Sequence, residues 1–370
     1  MCNIIGYLQE HGHESFAERS FCATDALILS QLSYIDWNSI VPERKKADCG
    51  IQIKDILGCG KEHQMVQGSM YGPQNLCLAS VCASSKRFGE VRMFAYHFCC
   101  KRSVHLQFAA LSFLMPDERI CVVFRGTDES VNGWQENFSM IYRDPVPAQE
   151  MAAKYLEEII AINPHNRIIV SGHSKGGNLA VYAAAKCKAQ LRKYICRVYN
   201  FDGPGFSEAF LQDEGYMSMA GKIRKYVVPE SIVGIFLNNE GKTFMVESAG
   251  HGMMQHDPYQ WEIKEGRLKR ARKYDLEKRR QGELLNEKIL KLPREDARKL
   301  IESFFTTLQK RGVADITQMK LEDSLAVLRG FAGEGIYNRD AISVLGTLIV
   351  YFVPAQHNIN TGKKPSVLIK

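Results

Sequence analysis

From Phe88 onward the chain alternates short apolar runs with longer amphipathic ones. Val91 to Phe98, Leu106 to Leu114 and Ile120 to Phe124 are rich in aromatic and β-branched residues and are separated by polar turns such as Met115-Pro-Asp-Glu, a pattern that predicts successive strands. After Gly126 comes a loop; then Ala148 to Ile162 repeats its apolar residues at helical spacing, and Ile168 to Val170 predicts a strand leading into a second helix rich in small residues. Further strands are expected at Arg197 to Phe201, Lys222 to Val228 and Thr243 to Glu247. Strands that alternate with helices after an antiparallel start describe an α/β sheet, mostly parallel and flanked by helices.

The flanks read differently. Residues 1–85 combine a helical pattern at Ala23 to Leu32 with a glycine-rich, irregular stretch from Gly58 to Gly72, expected to be a loop or a cover over the core. From about residue 263 the chain is charged and helical, with apolar positions at Leu284, Leu285, Ile289 and Leu290 and again at Ala297, Leu300, Phe304 and Leu308. Three regions are therefore expected: an N-terminal cover over 1–85, a core over 86–262, and a helical appendage over 263–370 that packs on the core or mediates assembly. The longest mostly apolar run, Ile342 to Val353, falls short of the roughly 20 residues that span a bilayer and reads as a buried helix. The N-terminus has no basic segment followed by an apolar one, so a cytoplasmic location is expected.

Composition narrows the chemistry. At 370 residues with 45% apolar and 10% aromatic content, the chain has material for a large core. The net charge of +7 suggests a nucleic-acid partner until it is located: Glu262 to Arg280 holds nine Lys/Arg against four Asp/Glu, and the remainder is nearly neutral. That run reads as a solvated helix, with anionic-membrane contact as the other use; it lacks the interleaved aromatics of a single-strand binder, so no nucleic acid is expected. Eleven scattered cysteines include no Cys-x-x-Cys pair and read as reduced thiols. The ten histidines form no His-Glu-x-x-His motif and no phosphate-binding glycine loop is present, so neither a metal nor a cofactor is expected.

The chemistry concentrates at Gly172-His173-Ser174-Lys175-Gly176, which follows the Ile168 strand and precedes Gly177-Asn-Leu-Ala180. Glycines two before and two after a serine permit a sharp strand-to-helix turn, the nucleophile elbow of an α/β-hydrolase fold, in which the hydroxyl stands clear of the sheet. A serine needs a base, a group orienting that base, and donors for an oxyanion. In this fold the chain order is serine, acid, histidine, which leaves His251, His256 and His357 as bases. His256, in Gln255-His-Asp-Pro-Tyr259, suits a defined loop after a strand; His251, between two glycines, is the alternative, and His357 lies beyond the helical tail. For the acid, Asp202 follows the Arg197 strand and Glu230 follows the Lys222 strand, both at the carboxyl edge where ligands meet open α/β sheets. The oxyanion donors expected are the backbone N–H of Lys175 and that of Thr127, in Phe124-Arg-Gly-Thr127, with Arg125 pairing a carboxylate to hold the loop.

Phe124-Arg-Gly-Thr127, Gly133-Trp134, Gly172-His-Ser-Lys-Gly176 and the late His256-x-x-Tyr259 resemble the class 3, fungal-type lipases. More closely, Gln107-Phe-Ala-Ala, Gly172 through Ala180 and Phe201-Asp-Gly-Pro-Gly-Phe resemble a bacterial lipase-like family of unknown function, over roughly residues 1–310. The resemblance implies an α/β-hydrolase fold, Ser174 as nucleophile and the Thr127 and Lys175 amides as oxyanion hole, but supplies no substrate. The residue constellation narrows the chemistry to acyl transfer: a small-molecule or lipid ester is the expected substrate, with another acyl-transfer enzyme or a catalytically silent binding protein as the alternatives. Two features depart from class 3. The position corresponding to its acid is Ser231, and Asp202, one strand earlier as in pancreatic-type lipases, is the natural substitute. The short interval from Thr127 to Ser174 leaves little room for a lid, so Val131 to Pro147, with Trp134, Phe138 and Met140, is at most a small cover and better suited to core packing.

Overall fold

The computed structural model describes residues 2–56, 60, 65–66 and 71–333, with single positions at 341, 343, 344 and 346. Most of the Gly58 to Gly72 stretch, His357, and the expected Ile342 to Val353 helix apart from three isolated positions lie outside the described residues.

In chain order, helices α1 (Ile4–His11) and α2 (Ala23–Leu32) lead to the short strand β1 (Ile51–Gln52) and helix α3 (Gly72–Ser84). Strands β2 (Arg92–Lys101), β3 (Leu106–Leu114) and β4 (Ile120–Phe124) follow as an antiparallel meander. Helices α4 (Val131–Ser139) and α5 (Pro147–Ile162), strand β5 (Ile168–His173), helix α6 (Lys175–Lys186) and strand β6 (Ile195–Phe201) come next. Helices α7 (Glu208–Leu211) and α8 (Glu214–Ala220), strand β7 (Ile223–Val227), helix α9 (Ile232–Ile235) and strand β8 (Thr243–Met245) complete one eight-stranded sheet in sequential order, β4 to β8 parallel. This is an α/β-hydrolase fold.

The sequential order has a packing consequence. Right-handed crossovers between parallel strands laid down in one direction place their helices on one face, and without further cover the opposite face would be bare. Alternate strand residues separate accordingly. Ile120, Val122, Phe124, Ile168 and Val170 pack with Leu156, Ile159 and Leu179 of α5 and α6. Cys121, Val123, Ile169 and Phe201 pack with Leu27, Ile28 and Leu78 of α2 and α3. The N-terminal helices thus sit on the face that the crossovers leave open. Arg87 and Asp25 tie this layer together with two 2.7 Å hydrogen bonds, both side chains fully buried.

Two expectations are corrected. The region from 263 to 275 is not a helix: it forms the hairpin of β9 (Ile263–Lys264) and β10 (Arg267–Leu268), turned at Glu265 (φ 53°) and Gly266 (φ 74°), and then runs extended beside Met245. Ile263 and Leu268 bury their side chains against the core, a demand that the charge run conceals. Helices begin only at α10 (Leu276–Lys291), followed by α11 (Arg294–Lys310) and α12 (Leu321–Gly333). The segment after Gly126, expected as a loop, contains α4, started by the Ser130 hydroxyl accepting the Gly133 N–H at 3.1 Å. Its Phe138, with Met140 beyond it, packs with Phe236 and with Phe305 of α11 in a third apolar cluster. The chain after α11 returns to the start of α4, where the Val131 N–H donates to Ala314 O and the Ile316 N–H to Glu129 O, both at 2.9 Å. Among the described residues no helix is long and apolar enough to cross a membrane.

Candidate active site

Strand β5 stays paired with β6 as far as His173 opposite Phe201, three residues beyond its apolar run, and the backbone then turns sharply. Ser174 adopts φ 57° and ψ −133°, a strained conformation for a residue with a β-carbon. Its N–H donates to Phe201 O at 2.8 Å, and its carbonyl accepts the Gly177 N–H at 2.9 Å. The flanking glycines are required by contact: a β-carbon on Gly172 would lie 2.2 Å from Gly176 C, and one on Gly176 would lie 2.0 Å from Phe124 O. Helix α6 begins at Lys175, so its N-terminal N–H groups favour negative charge beside the serine.

His256 ends a short 3₁₀ turn, Gly252–His256, and its Nδ1 lies 2.6 Å from Asp202 Oδ2. The carboxylate accepts, so Nδ1 carries a proton, and in the neutral imidazole Nε2 is then the acceptor. Asp202 is completely buried at the end of β6 and is itself strained, with φ 53°. Its N–H donates to Tyr226 O at 2.7 Å, and Oδ1 lies 3.4 Å from the Val228 N–H. Gly234 of α9 closes over Oδ1, where a β-carbon would come within 2.0 Å. The next residue, Gly203, meets Ser174 in the same way, a β-carbon there lying 2.6 Å from Ser174 O.

A third group, His173, was not read from the sequence as functional, although it precedes the serine. Its Nε2 donates to the His256 carbonyl at 2.9 Å, which leaves Nδ1 to accept the Tyr34 hydroxyl at 3.0 Å. The two imidazoles lie 4.6 Å apart. Burial and the neighbouring His256 hold His173 well below the usual histidine range, so it stays neutral and fixes the backbone of its neighbour.

The alternatives lie elsewhere. Glu230 accepts the Gly252 N–H at 2.8 Å and reaches Lys278 at 3.3 Å, while His251 is exposed. Ser231 is buried and caps α9 through its hydroxyl. Asp257 turns back to cap the Pro258–Gln260 turn, and burial pushes its carboxyl up to about 6. On the oxyanion side, the Thr127 hydroxyl is buried with no hydrogen-bond partner. Arg125 lies 3.7 Å from Asp128, close enough to act on its charge but too far for a hydrogen bond.

A family model described as Mbeg1-like matches residues 82–306, more than half of the chain, including Thr127, His173, Ser174, Lys175, Asp202 and His256. The chain belongs to the Mbeg1-like family. No curated protein matches it in sequence. Among solved structures it is similar to a mutant form of MDLA from Penicillium cyclopium, at 15% identity over 61% of this chain and 79% of that one, with a TM-score of 0.39. A Rhizomucor miehei lipase propeptide complex gives 15% identity, 50% and 68% coverage and a TM-score of 0.33. A triacylglycerol lipase described as having a serine protease triad at its catalytic centre gives 15%, 62%, 82% and 0.37. Likeness at that level assigns no residue and no substrate.

Two lysines of this Mbeg1-like chain surround the site without facing it. Lys175 sends its side chain into the core, 2.7 Å from Gln107 O and 2.9 Å from Glu136 Oε2. Lys225 of β7 is buried and bonds to Asn239; burial brings its ammonium down to about 7 against the opposing pull of Asp202. Neither role is legible in the sequence, where a lysine reads as a surface residue. Among the described residues no cluster of side chains suits a metal ion, and ten cysteines are free.

Proposed function

We propose that this protein is a serine hydrolase of carboxylic esters, small-molecule or lipid, working through Ser174, His256 and Asp202. The observation that carries the reading is the 2.6 Å contact between His256 Nδ1 and a fully buried Asp202 carboxylate, beside a serine held in an elbow conformation. Asp202 fixes the tautomer in which His256 Nε2 accepts the Ser174 proton. Ser174 Oγ then attacks the ester carbonyl, and the backbone N–H groups of Lys175 and Thr127 stabilise the oxyanion, the free Thr127 hydroxyl adding a third donor. His256 gives its proton to the departing alcohol. Water, deprotonated by the same nitrogen, releases the acid from the acyl-enzyme.

The test is stoichiometric labelling by a fluorophosphonate, read as a mass shift on the full chain and on Ser174→Ala. The expected result is one adduct, lost in the variant. A folded wild type that takes no label overturns the reading and points to a hydrolase scaffold used for binding.

A further inference from the structure

We infer that Gln107 is a positioning residue that, with the buried Lys175–Glu136 pair, locks the two halves of the oxyanion hole to each other. The inference rests on the hydrolase reading above. Strand β4 pairs with β3 only as far as Phe124 opposite Ala110, and Arg125 adds one further bond to Ala109 O. Gln107 therefore pairs with Cys100 of β2 on one side and has no strand partner on the other. An ion pair takes the place of the missing strand: the Gln107 N–H donates to Glu136 Oε2 at 3.0 Å, and the Gln107 carbonyl accepts Lys175 Nζ at 2.7 Å. Lys175 and Glu136 are each 1% exposed and 2.9 Å apart, and Glu136 Oε1 also accepts the Ala148 N–H at 3.0 Å.

The side chain of the same glutamine holds the other donor loop. Its Oε1 accepts the N–H of Asp128, the residue after Thr127, at 3.2 Å, and its Nε2 donates to Ser130 Oγ at 3.0 Å. One residue thus reaches Lys175 through its main chain and the Thr127 loop through its amide. Space for that amide is provided by Gly133, where a β-carbon would lie 2.4 Å from Oε1. Removing two charges from water is costly enough that a buried ion pair adds little net stability. What this arrangement supplies is a fixed distance between two N–H groups that must meet a single oxygen.

The experiment uses the full chain, a p-nitrophenyl butyrate assay, and a boronic acid as tetrahedral mimic. Gln107→Met cuts the tether to Asp128 and Ser130 while leaving the main-chain bonds. It should lower kcat by roughly 10- to 100-fold, short of the 10²–10³ expected for loss of a donor. KM and affinity for the product carboxylate should hold within about twofold, and boronate affinity should weaken in step with kcat. Gln107→Glu, which keeps the acceptor for Asp128, should restore part of the loss. Gly133→Ala, which displaces the amide without removing it, should reproduce the effect and serves if Gln107→Met does not fold. Folded variants with kcat and boronate affinity within twofold of a labelled, active wild type overturn this inference and leave the hydrolase reading standing. A wild type that takes no fluorophosphonate overturns both.

Discussion

Replacing Asp202 by Asn keeps the shape of the buried group and removes its charge. The carboxylate is fully buried, and its oxygen lies 2.6 Å from His256 Nδ1. For charge centres about 4 Å apart at an effective dielectric of about 20, the pair stabilises an imidazolium by about 4 kcal/mol. At 1.36 kcal/mol per decade, that is about 10³ in rate. The asparagine amide also permits the wrong tautomer, with the proton on Nε2 where the serine needs a lone pair, and this should bring the loss in kcat to about 10⁴. The assay is ester turnover by the full chain, with thermal unfolding to show that each variant is folded. Glu230→Gln is the matched control, since that carboxylate is occupied by the Gly252 N–H and Lys278; its kcat should stay within about threefold. The reasoning fails if Asp202→Asn keeps more than a tenth of wild-type kcat, or if Glu230→Gln loses as much as Asp202→Asn.

Three further outcomes are expected. Arg87→Met leaves the buried Asp25 carboxylate without its bidentate partner and should cost about 3–5 kcal/mol in urea unfolding; a loss below about 1 kcal/mol would show that the pair does not anchor the N-terminal layer. Lys225 titrates near 7 in the fold against about 10.4 unfolded, so over that interval the unfolded chain holds a proton that the folded chain lacks. Stability from this group therefore rises with pH above 7 and is lost as the pH falls through 7, and the wild type should gain on Lys225→Met by up to about 1.4 kcal/mol per pH unit between pH 7 and 9, whereas a constant difference would refute the assignment. The basic run from Lys264 to Arg280 carries exposed Tyr274 and Leu276; binding to anionic vesicles at low salt that is lost at high salt is expected, and none at low salt would dispose of membrane contact.

The elements legible in the sequence are those whose pattern and packing agree. Ala23–Leu32, Leu106–Leu114 and Ile120–Phe124 have the bounds that their apolar runs predict, because each buries what the pattern offers. Helix α4 was hidden since its polar residues are inside: Gln135 and Glu136 are almost wholly buried, serving partners far away in the chain. Strand β5 extends through Ser171, Gly172 and His173 because β6 pairs with them, a tertiary effect with no local signal. At the site, the elbow was readable from its glycines, and chain order narrowed the base to His251, His256 or His357 and the acid to Asp202 or Glu230. The choice between Asp202 and Glu230 depends on which carboxylate the fold delivers to an imidazole, and spacing along a chain does not encode that.

The return of the chain after α11 to the start of α4 bears on where this protein can be cut or lengthened. The match to the family ends at residue 306, yet the backbone that closes on Glu129 and Val131 is supplied by Ala314 and Ile316. A boundary drawn by likeness therefore falls inside a mechanical unit: a chain stopped at that boundary would keep every proposed reacting group and lose the outer wall of the loop that holds Thr127. The connection from Lys310 to Ile316 is for the same reason a poor place for insertions, because a change of length there is transmitted to the oxyanion loop by two hydrogen bonds.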